Sequence, residues 1–175
     1  MSLQSARSLA EKLGTAHART SLPVRPELIA RALGIAYFEE ALDNDVDALL
    51  IVKDRKSTIC VNSSKPATRQ RFSAAHELGH HVLGHYGRAG EHVHVDKGAL
   101  ILMRSAKSSA GIDPVEIEAN QFAASLLMPS SLIRVEIERL ENTKFNEEEK
   151  IERLADKFEV SVQAMTIRLT NMKLI

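Results

Sequence analysis

The sequence predicts an α+β fold: a mainly helical domain with a small β-sheet beside one histidine-rich helix. Three observations predict it. Apolar residues recur at helical spacing at both ends of the chain, as in "SLAEKLG" and "IERLADKF". Between them, "DALLIV" and "STICVN" are β-rich runs joined by the polar "KDRK", the pattern of a hairpin. A long helical stretch follows, "RFSAAHELGHHVLGHY", which holds four of the seven histidines. Strands grouped together and followed by helices describe an α+β protein.

The elements follow in order. Residues 3–19 carry Leu9 and Leu13 one turn apart in a helix. In "PVRPELIARALGI", Pro26 suits a first helical turn and Gly34 a left-handed stop, so Glu27–Leu33 is predicted helical. "IAYFEE" is a strand, and the hairpin comes next. "NSSKPATRQ" supplies a cap and a proline at the start of the histidine helix. Gly87–Gly98 is a glycine- and histidine-containing connector, "ALILM" a short strand and "AKSSAGI" a loop. Asp113 and Pro114 open the helix "DPVEIEANQFAASLLM" as N-cap and first residue. Pro129 ends it, Ser130 or Ser131 starts "LIRVEIERL", and a helical pair occupies about 147–173.

With 175 residues, the chain is expected to form one domain, 1–175, whose C-terminal part is the helical 131–175. Lys plus Arg equals Asp plus Glu at 23 each, so no net field favours nucleic acid or an anionic membrane. Cys60 is the single cysteine, in a strand that reads as buried, and suits a reducing interior. The first residues lack the apolar run of a signal peptide, and clusters such as "ALLIV" are too short to span a bilayer. The expected location is cytoplasmic. "DNDVD" spaces Asp43, Asp45 and Asp47 like the start of a calcium loop. Ala48 stands where that loop needs Gly and Asp54 where it needs Glu, so a polar turn is the better reading.

His76 and His80 are four apart, so on a helix they rise from one face about 6 Å apart. Two imidazoles at that spacing are a standard half of a zinc site. Glu77 lies about 100° around the helix from His76, beside such an ion and not on it. A carboxylate there can act as general base on water whose pKa zinc has lowered. Phe72, Ala75, Leu78 and Val82 make most sides of this helix apolar, and Gly79 lets another backbone approach. Two histidines buried without a partner would be costly. His81 and His85 repeat the spacing, but His81 is about 140° round from His76 and no glutamate accompanies the pair. They are read as supporting or rim residues.

"RQRFSAAHELGHHVLGH" followed by "EIEANQFAASLLMP" resembles the ImmA/IrrE-type zinc metallopeptidases. The likeness runs upstream through "ICVNSSKPATRQRF" and "LPVRPELIARALGI", covering about residues 20–130. It implies a mainly helical metallopeptidase domain with a small sheet beside the HExxH helix. It implies as substrate a helix-turn-helix transcriptional repressor, which such proteases cleave or disable. The expected function is a zinc-dependent endopeptidase with His76 and His80 as Zn2+ ligands and Glu77 as general base. Tyr86, His94 and Arg104 are open candidates for stabilising the oxyanion.

The third ligand is expected from "DPVEIEAN", where Glu116 and Glu118 compete. About 200° apart on a helix, only one can face the metal. Glu116 could instead close a capping box with Asp113. It is preferred as ligand because Asn120, Ala123 and Leu127 share its face, and Asn120 is placed to hold a ligand histidine's ring N–H. The resemblance agrees, since related peptidases carry a metal-binding Glu four residues before Asp or Asn. Glu118 is expected at the rim.

A competing function is a DNA- or protein-binding regulator whose zinc is structural. "IERLADKFEVSVQAMTIRLTNM" (151–172) resembles a helix-turn-helix unit, with Ala155 in the first helix and Arg168 in the second. Glu159 holds the turn position that usually takes Gly, and 131–175 carries eight basic against nine acidic residues. The preferred reading is a helical pair packed on the catalytic domain, without direct nucleic-acid binding. Glu77 argues against a structural metal, which has no use for a base beside it.

Overall fold

A computed structural model describes residues 3–18, 22–86, 92–97, 113–141 and 143–175. The described elements are α1 (Leu3–Ala18), α2 (Pro26–Ala32), β1 (Ala36–Glu40), β2 (Ala48–Lys53), β3 (Lys56–Asn62), α3 (Ala67–Leu83), β4 (His92–Asp96), α4 (Pro114–Leu127), α5 (Ser130–Glu141), α6 (Glu147–Phe158) and α7 (Val162–Asn171). The fold is α+β and mainly helical, as the sequence predicts. "ALILM", "AKSSAGI" and Arg104 lie outside the described residues.

The four strands form one mixed sheet in the order β1-β3-β2-β4, with β1 parallel to β3 and the other pairs antiparallel. The hairpin turns at Asp54 and Arg55, both at positive φ (50° and 62°), the mirror-type turn that matches strand twist. Leu50, Val52, Ile59 and Val61 point inward and are buried, while Leu49, Ile51 and Cys60 on the other face are only half-buried. Helix α3 crosses the inner face, packed on β2 and β3, and α4 packs on α3 from the opposite side. Helix α1 then covers α4.

Local signals act as read at several ends. Gly34 adopts φ 76° just past α2, and the Asp113 side chain accepts from Val115 N at 3.0 Å to cap α4. Two readings need correction. No side chain caps α3; Asn62 is buried and instead accepts from Leu42 N and donates to Val46 O (2.7 Å), holding the loop before β2. The connector at 87–98 contains β4, which pairs with β2. Its alternation is inverted, with Val93 and Val95 exposed and His92, His94 and Asp96 turned inward. Polar residues on the core side disguise the strand.

Helices α6 and α7 join through Glu159, at φ 48°, and Ser161 caps α7. The two helices have the predicted turn between them. Arg168 is only 1% exposed, and its guanidinium donates to the Met128 carbonyl (3.1 Å), Ser125 Oγ and Glu11. It faces the protein, not a ligand. Ser130 at the start of α5 is likewise held by Glu11 (2.8 Å).

A methyl group on Gly14 of α1 would collide with the Leu126 carbonyl and lie 2.9 Å from Pro129 Cγ. Gly14→Ala should therefore destabilise the fold by about 1–3 kcal/mol, despite alanine's ~1 kcal/mol advantage in a helix. Urea unfolding measures this, and unchanged or higher stability would contradict so close an α1–α4 contact.

Candidate metal centre

His76 and His80 rise from the same face of α3, as one helical turn requires, with their Nε2 atoms 3.0 Å apart. Glu116 enters from the first turn of α4. Its Oε2 lies 3.2 Å from His76 Nε2 and its Oε1 3.3 Å from His80 Nε2. His94 enters from β4, its Nε2 3.1 Å from Glu116 Oε1. Each of the four offers one ligand atom, and those atoms lie within 4.8 Å of one another. A tetrahedral ion with bonds near 2.0–2.1 Å separates its ligand atoms by roughly 3.3 Å. The spacings fit such an ion. Imidazoles with one carboxylate suit a first-row transition metal better than calcium or magnesium.

Gly79 is what lets α3 and α4 come this close. A Cβ there would meet Phe122 Cδ1 at 3.1 Å and the Ala119 carbonyl at 3.2 Å. Asn120, one turn beyond Glu116, places Oδ1 3.0 Å from His76 Nδ1. It accepts that N–H and leaves Nε2 facing the centre, the supporting contact read from the sequence. Phe122, Ala123, Leu126 and Leu127 are fully buried and fix α4 in the core.

Glu77 is fully buried, and both its oxygens lie 3.0 Å from His94 Nδ1. Burial raises the Glu77 carboxyl above the ordinary carboxylate range, against the opposing pull of His94. Burial alone would depress His94, but its bonds to Glu116 and Glu77 outweigh that and push it up to about 10. Burial takes His80 down to about 4, so at neutral pH it is the neutral imidazole a metal needs. Burial would raise Glu116, but the His76, His80 and His94 rings gathered around it hold it well below the usual carboxylate range.

The expected residues mostly converge. Glu116 reaches the centre and forms no capping box, since Asp113 caps α4 through Val115. Glu118 does not reach the centre; it is half-buried, with its Oε2 3.3 Å from His85 Nε2. Tyr86 stacks on His81, ring centroids 5.5 Å apart. His94 joins the cluster through β4, a strand that the sequence reading did not see. At the former calcium candidate, Asp47 pairs with Lys65 and Arg69, and Asp45 with Lys97. Those acids already have cationic partners.

Residues 30–170 match the family model described as the IrrE N-terminal-like domain of a peptidase family. The chain belongs to that family. No curated protein matches it. Membership in the IrrE N-terminal-like peptidases agrees with the His/Glu group, and together they support a metallopeptidase. Among the described residues no helix is long and apolar enough to cross a membrane.

A divalent transition metal should stabilise the protein on binding, by about 2.7 kcal/mol at a hundredfold excess over Kd. In a domain of this size that raises Tm by roughly 5–10 °C. Glu116→Ala should weaken binding beyond the ~10–100-fold that a supporting residue costs. A thermal melt with and without metal reads both, and a full shift in the Glu116→Ala variant would exclude Glu116 as ligand.

Proposed function

We propose that this chain is a zinc-dependent endopeptidase of the cytoplasm whose substrate is a protein, a helix-turn-helix transcriptional repressor. The observation that carries the reading is the placement of Glu77: fully buried, beside the His76, His80, His94 and Glu116 group, and not one of its members. Zinc held by His76, His80 and Glu116 would polarise a scissile carbonyl and lower the pKa of water towards neutrality. Glu77 takes the proton from the attacking water and passes it to the leaving amine. Its burial-raised pKa brings it nearer to the operating pH of a general base. His94 donates from Nδ1 to Glu77 and presents Nε2 to the centre, where it can donate to the developing oxyanion. The repressor as substrate rests on the likeness of "HELGH" and "EIEANQFAASLLMP" to ImmA/IrrE-type enzymes.

One observation favours a second reading, a regulator whose zinc is structural. His94 makes a fourth ligand-capable group, and four protein ligands close a tetrahedral site. His94→Ala separates the two. As an oxyanion donor, its loss should keep one zinc per chain and lower kcat by about 10²–10³-fold. Loss of the zinc would instead favour the closed site.

Glu77→Gln should retain zinc and lower repressor cleavage at least ~10²-fold. The substrate to use is a helix-turn-helix repressor from the same organism, mixed with purified protein and followed by electrophoresis. Undiminished cleavage by the variant would refute the assignment of the base, and an intact repressor with the unaltered chain would refute the substrate.

A further inference from the structure

A hydrogen-bonded chain runs from His80 away from the metal centre. His85 Nδ1 lies 3.0 Å from His80 Nδ1, and His85 Nε2 lies 3.3 Å from Glu118 Oε2. The His85 and Glu118 side chains are 8% and 16% exposed. We infer that His85 and Glu118 are positioning residues that select the tautomer and orientation of the His80 ring. The inference rests on the reading of His80 as a metal ligand.

The backbone explains how His85 gets there. Helix α3 stops at Gly84, whose φ is 72°, and a Cβ on Gly84 would meet nothing within 4 Å. Its glycine serves the left-handed turn alone. That turn sends the His85 N–H back to the His80 carbonyl (3.0 Å) and lays the two rings edge to face, centroids 5.0 Å apart. Residues 80 and 85 would not share a face on a continuous helix.

Proton counting assigns the direction. Two Nδ1 atoms 3.0 Å apart can share only one hydrogen. The Glu118 carboxylate is an acceptor only, so His85 Nε2 carries a hydrogen towards it. A His85 ring in the Nε2–H tautomer has a bare Nδ1, which accepts from His80 Nδ1–H. His80 Nε2 is left as a lone pair, and Nε2 is the atom that faces His76 and Glu116. Without Glu118, His85 is free to hold its hydrogen on Nδ1, and His80 must then carry its own on Nε2, where it blocks coordination. Asn120 does the equivalent service for His76 through one contact. Glu116, Glu118 and Asn120 thus all bear on the same centre, although Glu118 points about 200° away from Glu116 on α4.

The test titrates zinc into the full chain against a chelator of known affinity and reads the ring nitrogens of the zinc-loaded protein by NMR. The unaltered chain should bind one zinc with His85 in the Nε2–H tautomer. Glu118→Ala and His85→Phe should bind one zinc about 10–100-fold more weakly. Glu118→Gln keeps an acceptor oxygen of the same reach and should restore affinity. Glu118→Lys offers only donors and should be at least as weak as Glu118→Ala. Equal affinity across the Glu118 series, a Gln variant as weak as Ala, or an Nδ1–H His85 in the unaltered chain would each overturn the inference. Because the last needs no variant, a substitution that fails to fold does not protect it. No zinc on the unaltered chain would instead overturn the metal reading beneath it.

Discussion

The centre depends on the contact between α3 and α4 at Gly79. Carboxylate and imidazole side chains are short, so Glu116 reaches His76 and His80 only if the two helices nearly touch. At Gly79 they do: a methyl group would already press on the Phe122 ring and the Ala119 carbonyl. Ala119 and Asn120 lie within one turn of Glu116, so the contact sets the distance of the ligand and of its supporting amide together. The buried Phe122, Ala123, Leu126 and Leu127 make the approach favourable, since close packing of apolar surface offsets the cost of holding polar groups nearby.

That cost is considerable. His76, Glu77 and His80 are at most 3% exposed, and a buried charge without a partner is strongly unfavourable. Here every member has one. Glu116 is shared by three imidazoles, Glu77 by His94, His76 by Asn120 and His80 by His85. Burial takes His80 down to about 4, while the contacts of His94 with Glu116 and Glu77 outweigh its burial and hold it up near 10. A cation replacing protons on ligand groups must expel them, so metal affinity in such a cluster rises with pH.

Much of this was legible in the chain itself, wherever one element sufficed. The 3.6-residue period placed His76 and His80 together and set Glu77 to one side, and the same geometry chose Glu116 with Asn120 over Glu118. Gly34, Asp113 and Pro114 marked helix ends through conformational preferences that need no tertiary information. What escaped involved a second element. β4 hid because its inward face carries His92, His94 and Asp96, so its valines point outward. "NSSKPATRQ" is expected to supply a side-chain cap for α3, but none forms, and its Asn62 is taken up by the loop at Leu42–Val46. The engagement of Glu118 was invisible from α4 alone, because its link to the centre is a histidine contributed from beyond the end of α3.

The C-terminal helices belong to the same constraint. Arg71 of α3 donates to the Val24 carbonyl (2.8 Å) and to those of Phe158 and Glu159 at the end of α6. Arg168 of α7 donates to the Met128 carbonyl at the end of α4. Each guanidinium therefore closes off carbonyls that a helix end leaves without partners, and each joins the C-terminal pair to one of the two helices that carry the site. The attachments lie at the N-terminal half of α3 and the C-terminal end of α4, the ends away from the ligands. These bonds tie the C-terminal pair to α3 and α4 at the ends opposite Glu116, His76 and His80. An Arg168 used this way is not available to phosphate. The resemblance of 151–172 to a helix-turn-helix unit is one of shape, and its Arg168 is engaged inside the fold.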